Sequence, residues 1–134
     1  MSKNNKLNVA VIGATGYTGL DLILILSEHP KVKIKNLCAT KNLGKKISYF
    51  DKRIKKKLPK ISSVDKIKWQ ILDLVFLSLP NGEAQKLIKK NYLKNQRLKF
   101  IDLSADFRIS DTKVYEKNYQ IKHKAKELIK NSLY

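Results

Sequence analysis

Three glycines spaced three apart, Gly13, Gly16 and Gly19, follow the apolar run Val9-Ala10-Val11-Ile12 and lead into Leu20-Asp21-Leu22-Ile23-Leu24-Ile25-Leu26. A buried strand, a glycine turn and a helix in that order form a device for holding a pyrophosphate. Gly13 lets the chain leave the strand in a tight turn, Gly16 presents no Cβ to a phosphate, and Gly19 lets the helix pack close to the strand. The backbone N–H groups at the helix start then face the anion, with the positive end of the helix dipole behind them. Glycines also gather in ordinary tight turns, and that is the competing reading; the placement between an apolar strand and an apolar helix favours a nucleotide.

Three further segments carry residues able to do chemistry. Ala39-Thr40-Lys41-Asn42 stands where an NAD enzyme places an acid against the ribose 2′-hydroxyl, yet no Asp or Glu occurs between Glu28 and Asp51. Thr40, Lys41 and Lys45 would instead hold a 2′-phosphate, which favours NADP over NAD; the alternative is a solvated lysine loop. Ser78-Leu79-Pro80-Asn81-Gly82 supplies a rigid turn for the middle of a dinucleotide. Leu103-Ser104-Ala105-Asp106-Phe107-Arg108 brings together a hydroxyl, a carboxylate and a guanidinium. Arg108 would grip an anionic substrate group in a bidentate manner or pair with Asp106 or Asp111, and the spacing leaves both open. Asp106 reads as structural, holding its loop or pairing with Arg108.

These segments need strands to end at them, and the chain alternates strand and helix. Strands are expected at residues 7–12, 32–38, 74–79 and 98–102, and helices at 18–28, 83–91, from the cap Asp111 through Tyr115 and Tyr119, and at 124–130. Residues 39–59 read as a long basic loop with room for one short strand, and Ser63 or Asp65 as the cap of a short helix through Trp69 and Ile71. The pattern implies an α/β fold, a Rossmann-type doubly wound parallel sheet whose ligands collect at the carboxyl ends of the strands.

At 134 residues the chain makes one domain. Its formal charge of +18 raises the question of nucleic acid, but the lysines are scattered, and the one block, Lys52-Arg53-Ile54-Lys55-Lys56-Lys57, has no interleaved aromatic residues for base stacking. Specific nucleic-acid binding is not expected; weak, salt-sensitive adhesion to polyanions is. A polar N-terminus, no long apolar run and a single cysteine, Cys38, lead to the expectation of a cytoplasmic protein without a membrane span, disulfide or metal site.

Taken together, Gly13-Ala14-Thr15-Gly16-Tyr17-Thr18-Gly19, Leu79-Pro80-Asn81-Gly82 and Asp102-Leu103-Ser104-Ala105-Asp106-Phe107-Arg108 resemble the N-terminal domain of N-acetyl-gamma-glutamyl-phosphate reductase, and the likeness continues through Val114-Tyr115-Glu116-Lys117-Asn118-Tyr119 and His123-Lys124-Ala125-Lys126-Glu127-Leu128. The resemblance implies an NADPH-dependent acyl-phosphate reductase of arginine biosynthesis. In that family a cysteine thiolate displaces phosphate from N-acetyl-glutamyl phosphate, hydride reduces the thioester, and a histidine assists with protons. Carried over residue by residue, Gly13, Thr15, Gly16, Tyr17 and Thr18 would cradle the pyrophosphate. Thr40 and Lys41 would take the 2′-phosphate, where serine and arginine are more usual. Pro80 and Asn81 would lie near the nicotinamide half, with asparagine where histidine is common, and Ser104 and Arg108 would face the substrate phosphate. The family's Asn-Pro-Gly-Cys-Tyr-Pro type motif is absent, and Cys38, His29 and His123 match no catalytic position, so the expectation is a cofactor domain without its catalytic half, inactive alone. Homo-oligomerisation is implied only for the full-length enzyme. A non-catalytic NADP-binding module, an aspartate-semialdehyde dehydrogenase-like fragment and a basic nucleic-acid binder are the alternatives.

Overall fold

The computed structural model describes residues 5–134. Its five strands are β1 (Leu7–Ile12), β2 (Val32–Cys38), β3 (Ile61–Ser62), β4 (Leu74–Leu77) and β5 (Lys99–Asp102), and its helices are α1 (Tyr17–Glu28), α2 (Glu83–Tyr92) and α3 (Thr112–Tyr119). Every pairing is parallel, and the sheet order is β3-β2-β1-β4-β5. From β1 the chain therefore winds outward through β2 to β3, then returns to the other side of β1 for β4 and β5. The reversal puts the topological switch point between the carboxyl ends of β1 and β4, where an open parallel sheet leaves a crevice for a ligand.

Alternation along β1 divides the core. Val9 and Val11 face one layer, with Ile23 and Leu26 of α1, Ile34 and Leu37 of β2, and Ile47, Ile54 and Ile61. Ala10 and Ile12 face the other, with Val75 and Leu77 of β4, Ala84 and Ile88 of α2, and Leu72, Leu98, Ala125 and Leu128. Successive strand side chains point to opposite faces, so both faces of β1 must be covered, and this is the doubly wound arrangement read from the sequence.

Several boundaries differ from the sequence reading. β4 stops at Leu77 rather than Leu79, because Ser78 gives its N–H to Ile12 at 2.8 Å and the chain then leaves the sheet. The short helix expected after Ser63 is a pair of single 3-10 turns, Val64–Lys66 and Trp69–Ile71, and the Ser63 side chain makes no capping bond. The last helix is also a 3-10 segment, Lys126–Asn131. Two short turns packing two adjacent apolar residues, Leu128 and Ile129, gain too little from helical periodicity to become a regular helix. The basic loop holds one 3-10 turn, Ile47–Tyr49, and its block partly straps α1: Arg53 reaches Asp21 at 2.7 Å and Lys56 reaches Glu28 at 3.3 Å. No helix among the described residues is long and apolar enough to cross a membrane.

Candidate functional site

Four strand exits meet at the carboxyl edge of the sheet, and backbone contacts link them in sheet order. The N–H groups of Gly13 and Ala14 both donate to the Cys38 carbonyl, at 2.9 and 3.0 Å, tying the glycine turn to the end of β2. Gly13 has φ +87°, and a Cβ there would fall on the Ser78 carbonyl oxygen, so the turn also lies directly against the end of β4. Asn81 Oδ1 accepts from the Ala105 N–H at 3.2 Å, and the Asp106 carboxylate accepts from the Gly82 N–H at 2.8 and 2.9 Å, tying the β4 exit to the β5 exit.

At the first exit, Gly16 is the N-cap of α1 and provides no side chain to cap it. The first turn carries no acid, and Leu20 is the first residue to donate along the helix, to Gly16 at 2.9 Å. The positive end of α1 thus has no side-chain cap and no first-turn acid among the described residues. A Cβ on Gly16 would meet only the Gly13 carbonyl, at 3.9 Å, so the fold leaves room on that side of the turn. Gly19 is different: its Cβ would run into the backbone of Gly13 and Ala14, and close helix packing demands glycine there. Thr15 is half-buried, while Tyr17 and Thr18 stand exposed on the first turn. These features fit a bound pyrophosphate, an anion with backbone donors before it and no side chain in its way.

At the second exit, Thr40 and Lys41 are exposed two and three residues beyond the Cys38 carbonyl that receives the glycine turn. Asn42 and Gly44 both have positive φ, which curls the loop back onto Ile61 through a 2.7 Å bond from the Gly44 N–H. Lys45 lies over the Tyr49 ring at 4.2 Å. Cys38 itself is fully buried, and burial pushes its thiol up, against a lowering contact from the Ser62 hydroxyl; it is inert packing.

At the third and fourth exits Pro80 is exposed and Asn81 half-buried. The Ser104 hydroxyl donates to Asp102 at 2.8 Å and receives the Asp106 N–H at 3.2 Å, so a phosphate arriving here would compete for its proton. Burial pushes Asp102 up, opposed by the two bonds from Ser104. Arg108 makes neither of the ion pairs considered from the sequence. Its Nη2 donates to the Tyr119 hydroxyl at 3.0 Å, because Asp106 is occupied at the start of α2 and Asp111 caps α3 through the N–H groups of Lys113 and Val114. Ser104 and Arg108 do line one cavity, of about 570 Å³, that opens along β5 together with Asp102, Asn131 and Tyr134.

Sequence reasoning took Asp106 as structural but missed the partners that gather around it beneath this edge. Asp106 is fully buried and accepts from Gly82, from the Gln85 N–H at 3.3 Å and from the Tyr115 hydroxyl at 2.6 Å. Gln85 Nε2 donates to the same Tyr115 oxygen, and Gln85 Oε1 accepts from the Lys124 N–H. His123 Nε2–H donates to the Asp106 carbonyl at 2.6 Å, and its Nδ1 accepts from Ala125. The one local signal was a glutamine beside Ala84 and Ile88 on the buried side of α2. No group of His, Cys, Asp and Glu among the described residues is placed to hold a metal ion.

Comparison with known proteins follows the same lines. Residues 8–128 match the family described as semialdehyde dehydrogenase, NAD binding domain. The N-acetyl-gamma-glutamyl-phosphate reductase of Ehrlichia canis (strain Jake) is 44% identical over 131 residues, 96% of this chain and 37% of that protein. The reductase of the same description from Rhodospirillum rubrum is 38% identical over 134 residues, 98% of this chain and 38% of its own length. The chain thus spans less than two-fifths of the curated relatives it matches. Among solved structures, aspartate semialdehyde dehydrogenase with NADP from Candida albicans superposes with a TM-score of 0.60 at 24% identity, over 80% of this chain and 32% of that one.

Proposed function

This chain belongs to the semialdehyde dehydrogenase family, in which it matches the NAD-binding domain, and from that premise we propose that it is the cofactor-binding domain of an NADPH-dependent N-acetyl-gamma-glutamyl-phosphate reductase. The carrying observation is the uncompensated start of α1 behind a turn whose Gly16 faces open space. Gly13, Thr15, Gly16, Tyr17 and Thr18 cradle the pyrophosphate; Thr40 and Lys41 take the 2′-phosphate, which a loop without any acid from Ala39 to Phe50 favours over a bare hydroxyl. Pro80 and Asn81 border the nicotinamide half. Asn81 Oδ1 is turned to Ala105, which leaves its Nδ2 to donate elsewhere. Ser104 and Arg108 face the phosphate of N-acetyl-glutamyl phosphate across the cavity beside β5. When bound, NADPH supplies the hydride that reduces the acyl group. This chain's residues bind and orient; none of them is assigned as nucleophile or proton donor, and the domain is inactive alone. The 44% and 38% identities to reductases, against 24% to the aspartate semialdehyde dehydrogenase, support the reductase over the latter enzyme.

Calorimetric titration with NADPH and with NADH tests this at near-physiological salt, where attraction to the +18 surface is screened. Saturable binding that prefers NADPH and vanishes in a folded Gly16→Val variant is expected, since a branched side chain would occupy the phosphate's place and its Cβ makes only ordinary contact with the Gly13 carbonyl. Unchanged affinity in Gly16→Val would remove the glycine turn from the site.

A further inference from the structure

We infer that Asp106 and Tyr115 are positioning residues for the Pro80-Asn81-Gly82 turn and set how tightly the nicotinamide half of the dinucleotide is held. The inference rests on the NADPH reading of the site. Two adjacent residues on the β5 exit grip two adjacent residues on the β4 exit: Ala105 N–H holds the Asn81 side chain, and the Asp106 carboxylate holds the Gly82 N–H with both oxygens. Gly82 has φ +93°, a conformation that glycine enters without strain but shares with many others, so the bonds to its N–H select the one the turn takes. The hold comes from the Asp106 carboxylate, which pairs with no Lys or Arg among the described residues. Its donors are the amides of Gly82 and Gln85 at the start of α2 and the Tyr115 hydroxyl, and all of them are buried. Such a carboxylate is stable only while every donor stays in place, and that couples its geometry to theirs.

Tyr115 closes the arrangement from below. It gives its proton to Asp106 and receives one from Gln85, while Gln85 and His123 tie the same cluster to residues 123–125. The segment from α3 to Ala125 thereby acts as the base on which the β4 turn is set. Ser78, which lies against Gly13, is fixed to the sheet by its N–H to Ile12 at 2.8 Å, so displacement of residues 80–82 beyond it changes the crevice on its nicotinamide side and leaves the glycine turn and the β2 exit, where the adenosine half is held, in place.

The test compares two ligands on the whole chain: NADPH, and adenosine 2′,5′-bisphosphate, which lacks the nicotinamide half. In Asp106→Asn an amide N–H₂ must face a donor, and NADPH affinity is expected to fall about tenfold with the bisphosphate unchanged. Tyr115→Phe, which removes one donor and leaves the backbone ones, is expected to lower NADPH affinity about threefold, again without moving the bisphosphate. It carries the test alone if Asp106→Asn does not fold. A residue that merely supported the fold would lower melting temperature and leave the affinity ratio of the two ligands constant, so an unchanged ratio in the folded variants overturns the inference. A wild-type chain that binds NADPH no better than the bisphosphate overturns it too while sparing the cofactor assignment; a wild-type chain that binds neither overturns both.

Discussion

α1 and α2 follow the neighbouring strands β1 and β4, and their N-termini are finished in opposite ways. Both have a glycine as N-cap, Gly16 and Gly82, and in neither does the capping residue bond through a side chain. At α2 the deficit is filled from within: Glu83 lies in the first turn, and the buried Asp106 carboxylate arrives from 24 residues downstream to take the Gly82 N–H. At α1 nothing is supplied, although a helix end without a partner costs stability and a single Asp or Ser would have mended it. One helix start completed by a buried anion beside another with no such partner among the described residues is the contrast that supports the pyrophosphate site proposed at Gly16.

The glycines offer the strongest way to break that contrast. Gly13 combines a left-handed backbone with a Cβ position already taken by the Ser78 carbonyl, so Gly13→Ala is expected to cost about 3 kcal/mol and to lower the urea midpoint accordingly. Gly16, with ordinary extended φ and ψ and open space, is not held to glycine by the fold. If Gly16→Val destabilised the chain as much as Gly13→Ala does, the openness of the α1 terminus would be a property of packing and not of a ligand site.

The two ends also differ in how much of them the sequence disclosed. Apolar runs marked β1 and β4 because buried parallel strands need side chains that tolerate burial on both faces, the alternation of lysine and apolar residues marked β2, and the spacing of Gly13, Gly16 and Gly19 marked the α1 start because its parts lie within seven consecutive residues. Asp111 was legible for the same reason, since a cap sits beside the amides it serves. The α2 terminus was not. Asp106 could be read as holding its loop, but its chief partner is 24 residues away, and Gln85, Tyr115 and His123 join it only through the fold. The ion pairs weighed for Arg108 do not form, since Asp111 is spent on the cap that the sequence disclosed and Asp106 on amides 24 and 21 residues away that it did not.

A finer test gives α1 what α2 has. In Gly16→Asp the new carboxylate would accept from the first-turn amides and meet the positive helix end, a gain of about 0.5 kcal/mol in the free chain. The same charge would stand at the proposed pyrophosphate position, and NADPH affinity is expected to fall at least about tenfold while the melting temperature holds or rises. Opposite movement of stability and binding is the signature of a terminus reserved for a ligand. Parallel loss of both would mean that the turn cannot accept any side chain.

The smallest expected effect concerns acid. Glu116 receives the His123 N–H at 3.2 Å and the Lys126 ammonium at 3.2 Å, and these hold its carboxyl below the usual glutamate range. A carboxylate lowered in the folded chain stabilises it at and above the ordinary value, roughly 4.3, and that contribution is lost as pH falls through the folded value. His123 is in turn bonded to the Asp106 carbonyl, so Glu116 braces the base of the α2 terminus, whereas the first turn of α1 holds no acid at all. Urea unfolding of wild type and Glu116→Gln at pH 7 and pH 3 should therefore show a difference at pH 7 that narrows at pH 3. The adenosine bisphosphate site, built at the other end, should keep its affinity in Glu116→Gln at pH 7. A loss of bisphosphate binding in that variant would mean that the two helix starts are mechanically coupled and that the contrast between them is one of occupancy alone.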